Sequence, residues 1–209
     1  MTTFDGGSTE IFGNLPEYDW PVPAAGTAVL FETPSLAADT VLLGPASADL
    51  WVESTEDDTD IEVTVSEVRP DGTEFYVQAG WLRAGHRALD EGASTELLPV
   101  QHHIEEENEP LPDGEPALLR IEIFNMGHIF RADSKIRIAI DTPGGSRPRW
   151  KFELLEPEGE VTNTIHHSAE YPSRIVLPVV PGLDGWPEDA PPCPSLRGQP
   201  CRPAPEIEN

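Results

Sequence analysis

The sequence is short of cysteine, of basic residues and of long apolar runs, and each shortage excludes a class of protein. Its two cysteines, Cys193 and Cys201, lack the spacing of a paired CxxC zinc site, and they can form a disulfide or remain free thiols. Thirteen Lys and Arg face 38 Asp and Glu, so the formal net charge is −25. We therefore expect neither nucleic acid nor an anionic membrane as a partner, because both repel a surface of this sign. No run of about 18 apolar residues exists, which excludes a membrane-spanning helix.

The chain also lacks a recognisable set of catalytic residues. It has no G-x-S-x-G nucleophile elbow, and Gly144-Gly145-Ser146 lacks the strand and helix that flank such a motif. We predict no catalytic residue, no cofactor and no metal in this chain. Residues 1–14 are polar and lack the basic and then apolar pattern of a signal peptide. This favours a cytoplasmic location over export but leaves the compartment open.

The sequence does contain many short segments in which apolar and polar residues alternate. The alternation is clearest at 47–54, 61–65, 119–124 and 136–141. A period of two is typical of strands with one face in a core and the other in solvent. Further β-rich runs lie at 28–32, 75–77, 80–87, 97–100, 151–155, 161–168 and 173–179. With no convincing amphipathic helix, about ten short strands predict an all-β fold of two packed sheets, and the long connection at 88–112 favours a Greek-key or jelly-roll (galactose-binding-like) β-sandwich over an up-and-down barrel.

Composition divides the chain into three parts. We predict an irregular arm over 1–26, the sandwich over 27–181 and a Pro-rich tail over 182–209. Within the sandwich, the acidic stretch 88–112 is predicted as a long connection with one short strand at 97–100. Because proline cannot donate a backbone hydrogen bond, the tail is expected to stay outside any β-ladder and to be extended or mobile.

Five segments of the sandwich carry a family resemblance. In chain order they are FETPSLAADTVLLGPASADLWVES (31–54), DDTDIEVTVSEVRPDGT (57–73), GWLRAGHR (80–87), GHIFRADSKIRIAI (127–140) and YPSRIVLPVVP (171–181). Together they resemble the C-terminal β-sandwich domain of the Xaa-Pro dipeptidyl-peptidase and CocE/NonD serine hydrolase family. The resemblance implies a jelly roll that packs on an α/β-hydrolase domain, in the same or a neighbouring polypeptide, which carries the catalytic serine, acid and histidine. None of those catalytic positions maps onto this chain.

The resemblance makes several aromatic residues candidates for a domain interface. These candidates are Tyr18, Trp20, Phe31 and Trp81. Arg83 and Arg87 lie on or near one strand in a chain with few cations. We expect them to form structural ion pairs, with Asp58 and Asp60 among the acids within reach. Contact of these arginines with a substrate carboxylate is the alternative.

Two clusters admit a second interpretation as metal sites. Asp57, Asp58 and Asp60 could bind Ca²⁺, but capping of a turn by one aspartate accounts for them as well. His102 and His103 precede three glutamates, but adjacent residues of a strand point to opposite faces and rarely share one zinc ion.

The resemblance therefore implies an accessory domain, non-catalytic alone, of a serine hydrolase that acts on Xaa-Pro dipeptides, acyl esters or amides. One alternative is a stand-alone module that binds carbohydrate or protein, because Trp51 and Trp81 could stack on a sugar ring. Another is a free-standing enzyme with a metal site that the sequence does not reveal.

Overall fold

Strands account for most of the regular structure in this protein. A computed structural model describes residues 20–143, 155, 157, 159–193 and 199–207. The strands in these ranges are β1 (Val29–Glu32), β2 (Thr40–Ser54), β3 (Asp60–Val68), β4 (Thr73–Arg83), β5 (Ala117–Phe130), β6 (Lys135–Asp141), β7 (Asn163–His166), β8 (Arg174–Val176) and β9 (Cys201–Pro203). Two 3-10 turns, Ala84–His86 and Glu105–Glu107, are the helical segments found there. Neither has the length or apolarity that a membrane-crossing helix requires.

The strands form two antiparallel sheets. One sheet has the order β1-β6-β3-β4-β9, and the other has the order β5-β2-β7, with β8 also paired to β2. The sheets approach each other at both sides of the sandwich. On one side the ring of Phe31 in β1 meets His167, which follows β7, with 5.9 Å between the ring centroids. On the other side β4 contacts β5. The predicted all-β sandwich is confirmed.

The core lies between the two sheets and follows the alternation of the sequence. Ile61, Val63 and Val65 of β3 are at most 2% exposed, and the inward side chains of β5 are fully buried. Those side chains are Leu119, Ile121 and Ile123. Neighbouring residues of a strand point to opposite faces, so every second residue of β3 and β5 points into the core. These are the apolar residues whose alternation predicted the two strands.

Several strands are longer than the sequence indicates, and β5, for example, spans Ala117–Phe130 where the alternation predicts 119–124. β2 begins at Thr40 rather than at Ser47, and its pairing with β5 shifts register between Gly44 and Ala46. Gly44 has a φ of 127°, a backbone conformation that other residues rarely adopt. The register shift at Gly44 is therefore a bulge inside one continuous strand.

The predicted return strands at 75–77 and 80–87 form one strand, β4, which ends at Arg83. Residues beyond it turn at once, since Ala84–His86 is a 3-10 turn. The long connection at 88–112 is confirmed, but the short strand predicted at 97–100 is wrong. The backbone there makes a turn, in which Leu98 N–H donates to Thr95 Oγ1 at 3.1 Å. The one strand-like contact of this connection is an isolated bridge between Leu89 and Gln101.

The Pro-rich tail departs from the expectation that it would form no ladder. Cys201–Pro203 pairs antiparallel with Thr73–Phe75 as the outermost strand of its sheet. An edge strand tolerates proline because its outer side needs no N–H donor, so that expectation is wrong for β9. Cys193 and Cys201, whose state the sequence left open, form a disulfide. The strand predicted at 151–155 lies outside the described residues except for Leu155, and the domain boundaries at 26 and 181 stay predictions.

Candidate domain-docking surface

The side of the sandwich where β4 passes β5 carries an aromatic pair. A Cβ placed on Gly80 would lie 1.7 Å from the carbonyl oxygen of Glu122, so only glycine permits this close approach of the two backbones. Trp81 and Phe124 stand beside the contact in an edge-to-face arrangement, with 4.8 Å between their ring centroids. Phe124 remains 38% exposed. The pair therefore presents aromatic surface on this side of the molecule.

Trp20 reaches the same strand from the N-terminal side. Its ring lies edge-to-face against Tyr76 of β4, with a centroid distance of 5.6 Å. The guanidinium carbon of Arg202 in β9 lies 3.8 Å from the Trp20 ring centroid. Trp20 is thus held by an aromatic contact and a cation–π contact. Tyr18, the other candidate of this segment, lies outside the described residues.

Phe31 lies at the opposite side of the sandwich. It belongs to β1, is 39% exposed and contacts His167 near β7. The four aromatic candidates therefore do not form one patch. Trp20 and Trp81 both border β4, whereas Phe31 borders the far edge.

The charged candidates make two kinds of contact, ion pairs and hydrogen bonds with the backbone. Arg83 and Asp60 form a two-bond ion pair, Nε to Oδ1 at 2.9 Å and Nη2 to Oδ2 at 3.0 Å. Arg87 pairs with Glu109, with 3.1 Å between Nη2 and Oε2. Asp58 accepts hydrogen bonds from the backbone N–H of Gly85 at 2.7 Å and of Thr59 at 2.9 Å. These contacts connect the end of β4 to the start of β3 and to the connection after residue 88.

Two buried carboxylates that the sequence analysis did not single out hold other parts of the sandwich together. Glu67 accepts a hydrogen bond from the backbone N–H of Arg131 at 3.0 Å, and its Oε2 lies 3.1 Å from Nε2 of His128. Burial raises the pKa of Glu67, but the hydrogen bonds with His128 and Arg131 outweigh burial and lower the pKa to about 2. Glu74, which is fully buried, contacts Arg137 at 3.2 Å and Arg202 at 2.8 Å.

A signal for Glu67 was present in the sequence. Ile61, Val63, Val65 and Glu67 lie at alternate positions of one strand, so a continued alternation places the carboxylate on the inward face. The sequence analysis considered only the apolar members of that series. A charged residue at an inward position indicates a polar partner across the sandwich, here His128.

The described residues contain no arrangement suited to nucleophilic catalysis or metal binding. No serine hydroxyl among them hydrogen-bonds a histidine ring; the hydroxyl of Ser173, for example, donates to the backbone carbonyl of His166. Likewise, no three side chains of His, Cys, Asp or Glu in the described ranges lie close enough to hold one ion.

A comparison with known protein families shows which family the chain belongs to. Residues 8–176 match the model of the X-Pro dipeptidyl-peptidase C-terminal non-catalytic domain. The chain belongs to this family. The model of this PepX C-terminal family describes a non-catalytic domain.

Relatives of this PepX C-terminal domain are parts of larger hydrolases. A Mycobacterium tuberculosis protein named as a serine esterase is 31% identical over 139 residues, which are 66% of this chain and 21% of that protein. The cocaine esterase of a Rhodococcus species is 26% identical over 188 residues, 83% of this chain and 30% of the esterase. The chain thus spans less than a third of the length of the curated relatives it matches.

The fold also matches solved structures. A CocE/NonD family hydrolase from Staphylococcus aureus superimposes with a TM-score of 0.64 at 26% identity, covering 73% of this chain and 30% of that one. An alpha-amino acid ester hydrolase superimposes with a TM-score of 0.59 at 18% identity, a likeness of fold. The sandwich is therefore the same architecture that these hydrolases carry over part of their length.

Proposed function

We propose that this chain is the non-catalytic β-sandwich of a larger serine hydrolase. In that enzyme an α/β-hydrolase domain, in the same or a neighbouring polypeptide, supplies the serine nucleophile and its histidine and acid. The reaction is cleavage of an N-terminal Xaa-Pro dipeptide, or of an acyl ester or amide, through an acyl-enzyme. The single observation that carries the proposal is the match of residues 8–176 to a domain described as non-catalytic.

The side of the sandwich along β4 is the surface that we assign to the hydrolase domain. Trp81 and Phe124 leave aromatic surface exposed there, and Trp20 brings the N-terminal segment to the same strand. The family is named as a C-terminal domain, so a preceding catalytic domain would connect to the sandwich through this segment. Aromatic side chains are enriched at the buried centres of protein interfaces, which supports this choice. Phe31, at the far edge, would contact the hydrolase domain only if that domain reached around the sandwich.

The proposal predicts that the 209-residue chain alone is inert. A purified sample is incubated with an Xaa-Pro 4-nitroanilide, with 4-nitrophenyl butyrate and with a fluorophosphonate probe that labels activated serines. We expect no turnover above buffer and no covalent label. A hydrolase that contains the α/β domain serves as the positive control. Labelling of one serine per chain, together with turnover that this label abolishes, would contradict the proposal.

A further inference from the structure

The C-terminal strand β9 occupies the edge of β4 in the manner of a bound peptide. Its three residues pair with Thr73–Phe75. Two backbone hydrogen bonds extend the pairing beyond the strand: Tyr76 N–H donates to the carbonyl of Pro200 at 3.1 Å, and Ala204 N–H donates to that of Gly72 at 2.9 Å. Addition of an extended segment to an open sheet edge is a common mode of peptide recognition, in which backbone pairing supplies affinity and side-chain pockets supply specificity.

A specific pocket receives the central side chain of this segment. Arg202 is 7% exposed and its Nε lies 2.8 Å from Oε2 of Glu74, a carboxylate that is fully buried. The guanidinium also lies against the Trp20 ring, 3.8 Å from its centroid, and donates to the carbonyl of Pro21. Ser66 Oγ donates to the other oxygen of Glu74 at 2.7 Å. A buried carboxylate, an aromatic face and a carbonyl acceptor together match the planar, cationic arginine side chain better than any other.

The disulfide anchors this strand to a second, independently held segment. Cys193, the exposed partner of Cys201 in the disulfide, comes shortly after the segment 186–191. That segment is fixed by Arg131, which donates to Pro187 O at 2.7 Å, and by Trp186, whose Nε1 donates to Asp39 Oδ2 at 2.8 Å. The Cys193–Cys201 bond therefore holds β9 within reach of the β4 edge even when its own backbone contacts open.

We propose that the β4 edge is an acceptor site for an extended peptide that carries arginine. The chain fills this site with its own Cys201–Pro203, and the Cys193–Cys201 disulfide controls access to it. A dithiol reductant removes this control. The two thiols of the reductant give up two electrons and two protons and become a disulfide. The Cys193–Cys201 bond breaks, and two protein S–H groups form. After reduction, β9 stays joined to Cys193 only through the backbone between residues 193 and 201, which is a longer link than the disulfide.

A peptide of residues 199–207, with serine in place of Cys201 and a fluorescent label, tests the site on the intact chain. Fluorescence anisotropy is measured with the chain oxidised and with the chain reduced and then alkylated at both cysteines. The reduced chain is expected to bind the peptide at least about tenfold more tightly, because the disulfide raises the effective concentration of β9 at the edge above that given by the longer backbone link alone. In parallel, hydrogen exchange at the amides of Tyr76 and Ala204 is expected to accelerate after reduction.

Three comparisons decide whether arginine and Glu74 carry the recognition. A peptide with alanine in place of Arg202 is expected to lose the binding to the unmodified reduced chain. Glu74→Gln is expected to lose binding of the arginine peptide, whereas Glu91→Gln, the same change at an exposed position, is expected to keep it. If Glu74→Gln fails to fold, the alanine peptide on the unmodified chain still gives the answer.

The outcomes separate the two parts of the proposal. Equal affinity of the oxidised and reduced chains would overturn control by the disulfide. Faster amide exchange without peptide binding would overturn the acceptor site. Equal binding of the arginine and alanine peptides would overturn the assigned ligand chemistry.

Discussion

At the scale of single residues, buried carboxylates determine how this acidic chain holds together. Glu67 and Glu74 are 1% and 0% exposed, and both are surrounded by hydrogen-bond donors rather than by water. A buried charge without partners costs far more than a surface charge, so each of these acids requires the groups that approach it. Asp49, which is 6% exposed, is likewise contacted by both Arg120 and Arg174.

The low pKa of Glu67 therefore predicts that the fold loses stability in acid. Its pKa of about 2 in the fold lies below the ordinary value of 4.5. The ionised form contributes stability above pH 4.5, and this contribution is lost as the pH falls from 4.5 towards 2. Glu67→Gln is expected to lower the free energy of unfolding by about 2–3 kcal/mol at pH 7 and by much less near pH 2. Urea unfolding followed across this pH range measures the difference.

Glu53→Gln is the matched control for that change. Glu53 also lies against a histidine ring, His166, at 2.9 Å, but its side chain is 35% exposed. An exposed pair is worth about 0–1 kcal/mol, so the control is expected to change stability little at any pH. Equal effects of the two substitutions would contradict the importance of burial.

At the scale of elements, the contact of β4 with β5 depends on Gly80. An alanine Cβ at this position would meet the carbonyl oxygen of Glu122 at 1.7 Å, and because that atom is backbone, a strand must shift. Gly80→Ala is expected to destabilise the fold by about 1–3 kcal/mol. Gly159→Ala serves as the control, since nothing lies within 4 Å of its added Cβ. Urea midpoints of both variants check the prediction, which fails if Gly80→Ala is as stable as the control.

The elements also show which sequence signals predict structure. β3, β5 and β6 were predictable because an uninterrupted period of two specifies a half-buried strand without further context. β2 was predicted too short because its alternation is clear only from Ser47, whereas pairing with β5 continues the strand through a bulge at Gly44. β9 was missed because its pairing with β4 depends on an edge that no local pattern of the tail reveals.

At the scale of the whole molecule, the aromatic pair beside β4 predicts how the sandwich couples to a catalytic domain. The double substitution Trp81→Ala/Phe124→Ala is expected to weaken the binding free energy between the sandwich and the hydrolase domain by about 2 kcal/mol, a magnitude typical of buried aromatic anchors. In the complete hydrolase this lowers the temperature of half-inactivation of the esterase or peptidase activity. In the 209-residue chain the melting temperature should fall much less, because no partner domain is lost.

Trp51→Ala provides the comparison for that double variant. The Trp51 ring packs against Tyr171 of the same domain, with 5.3 Å between centroids. Its loss should destabilise the isolated chain and the complete enzyme alike. If Trp81→Ala/Phe124→Ala behaved in this same way, the pair would be an internal packing element and not a docking surface.

The sequence by itself determined the all-β sandwich, its inward residues and its family, because these follow from local alternation and from segments that keep their order along the chain. The tertiary structure alone decided which candidates meet. Trp20 and Trp81 border one strand and Phe31 the opposite edge, and Asp60 rather than Asp58 receives Arg83. The pairing of the tail with β4 was decided at the same level. Such contacts join residues far apart in the chain, and strand order and register, which no local pattern records, bring them together.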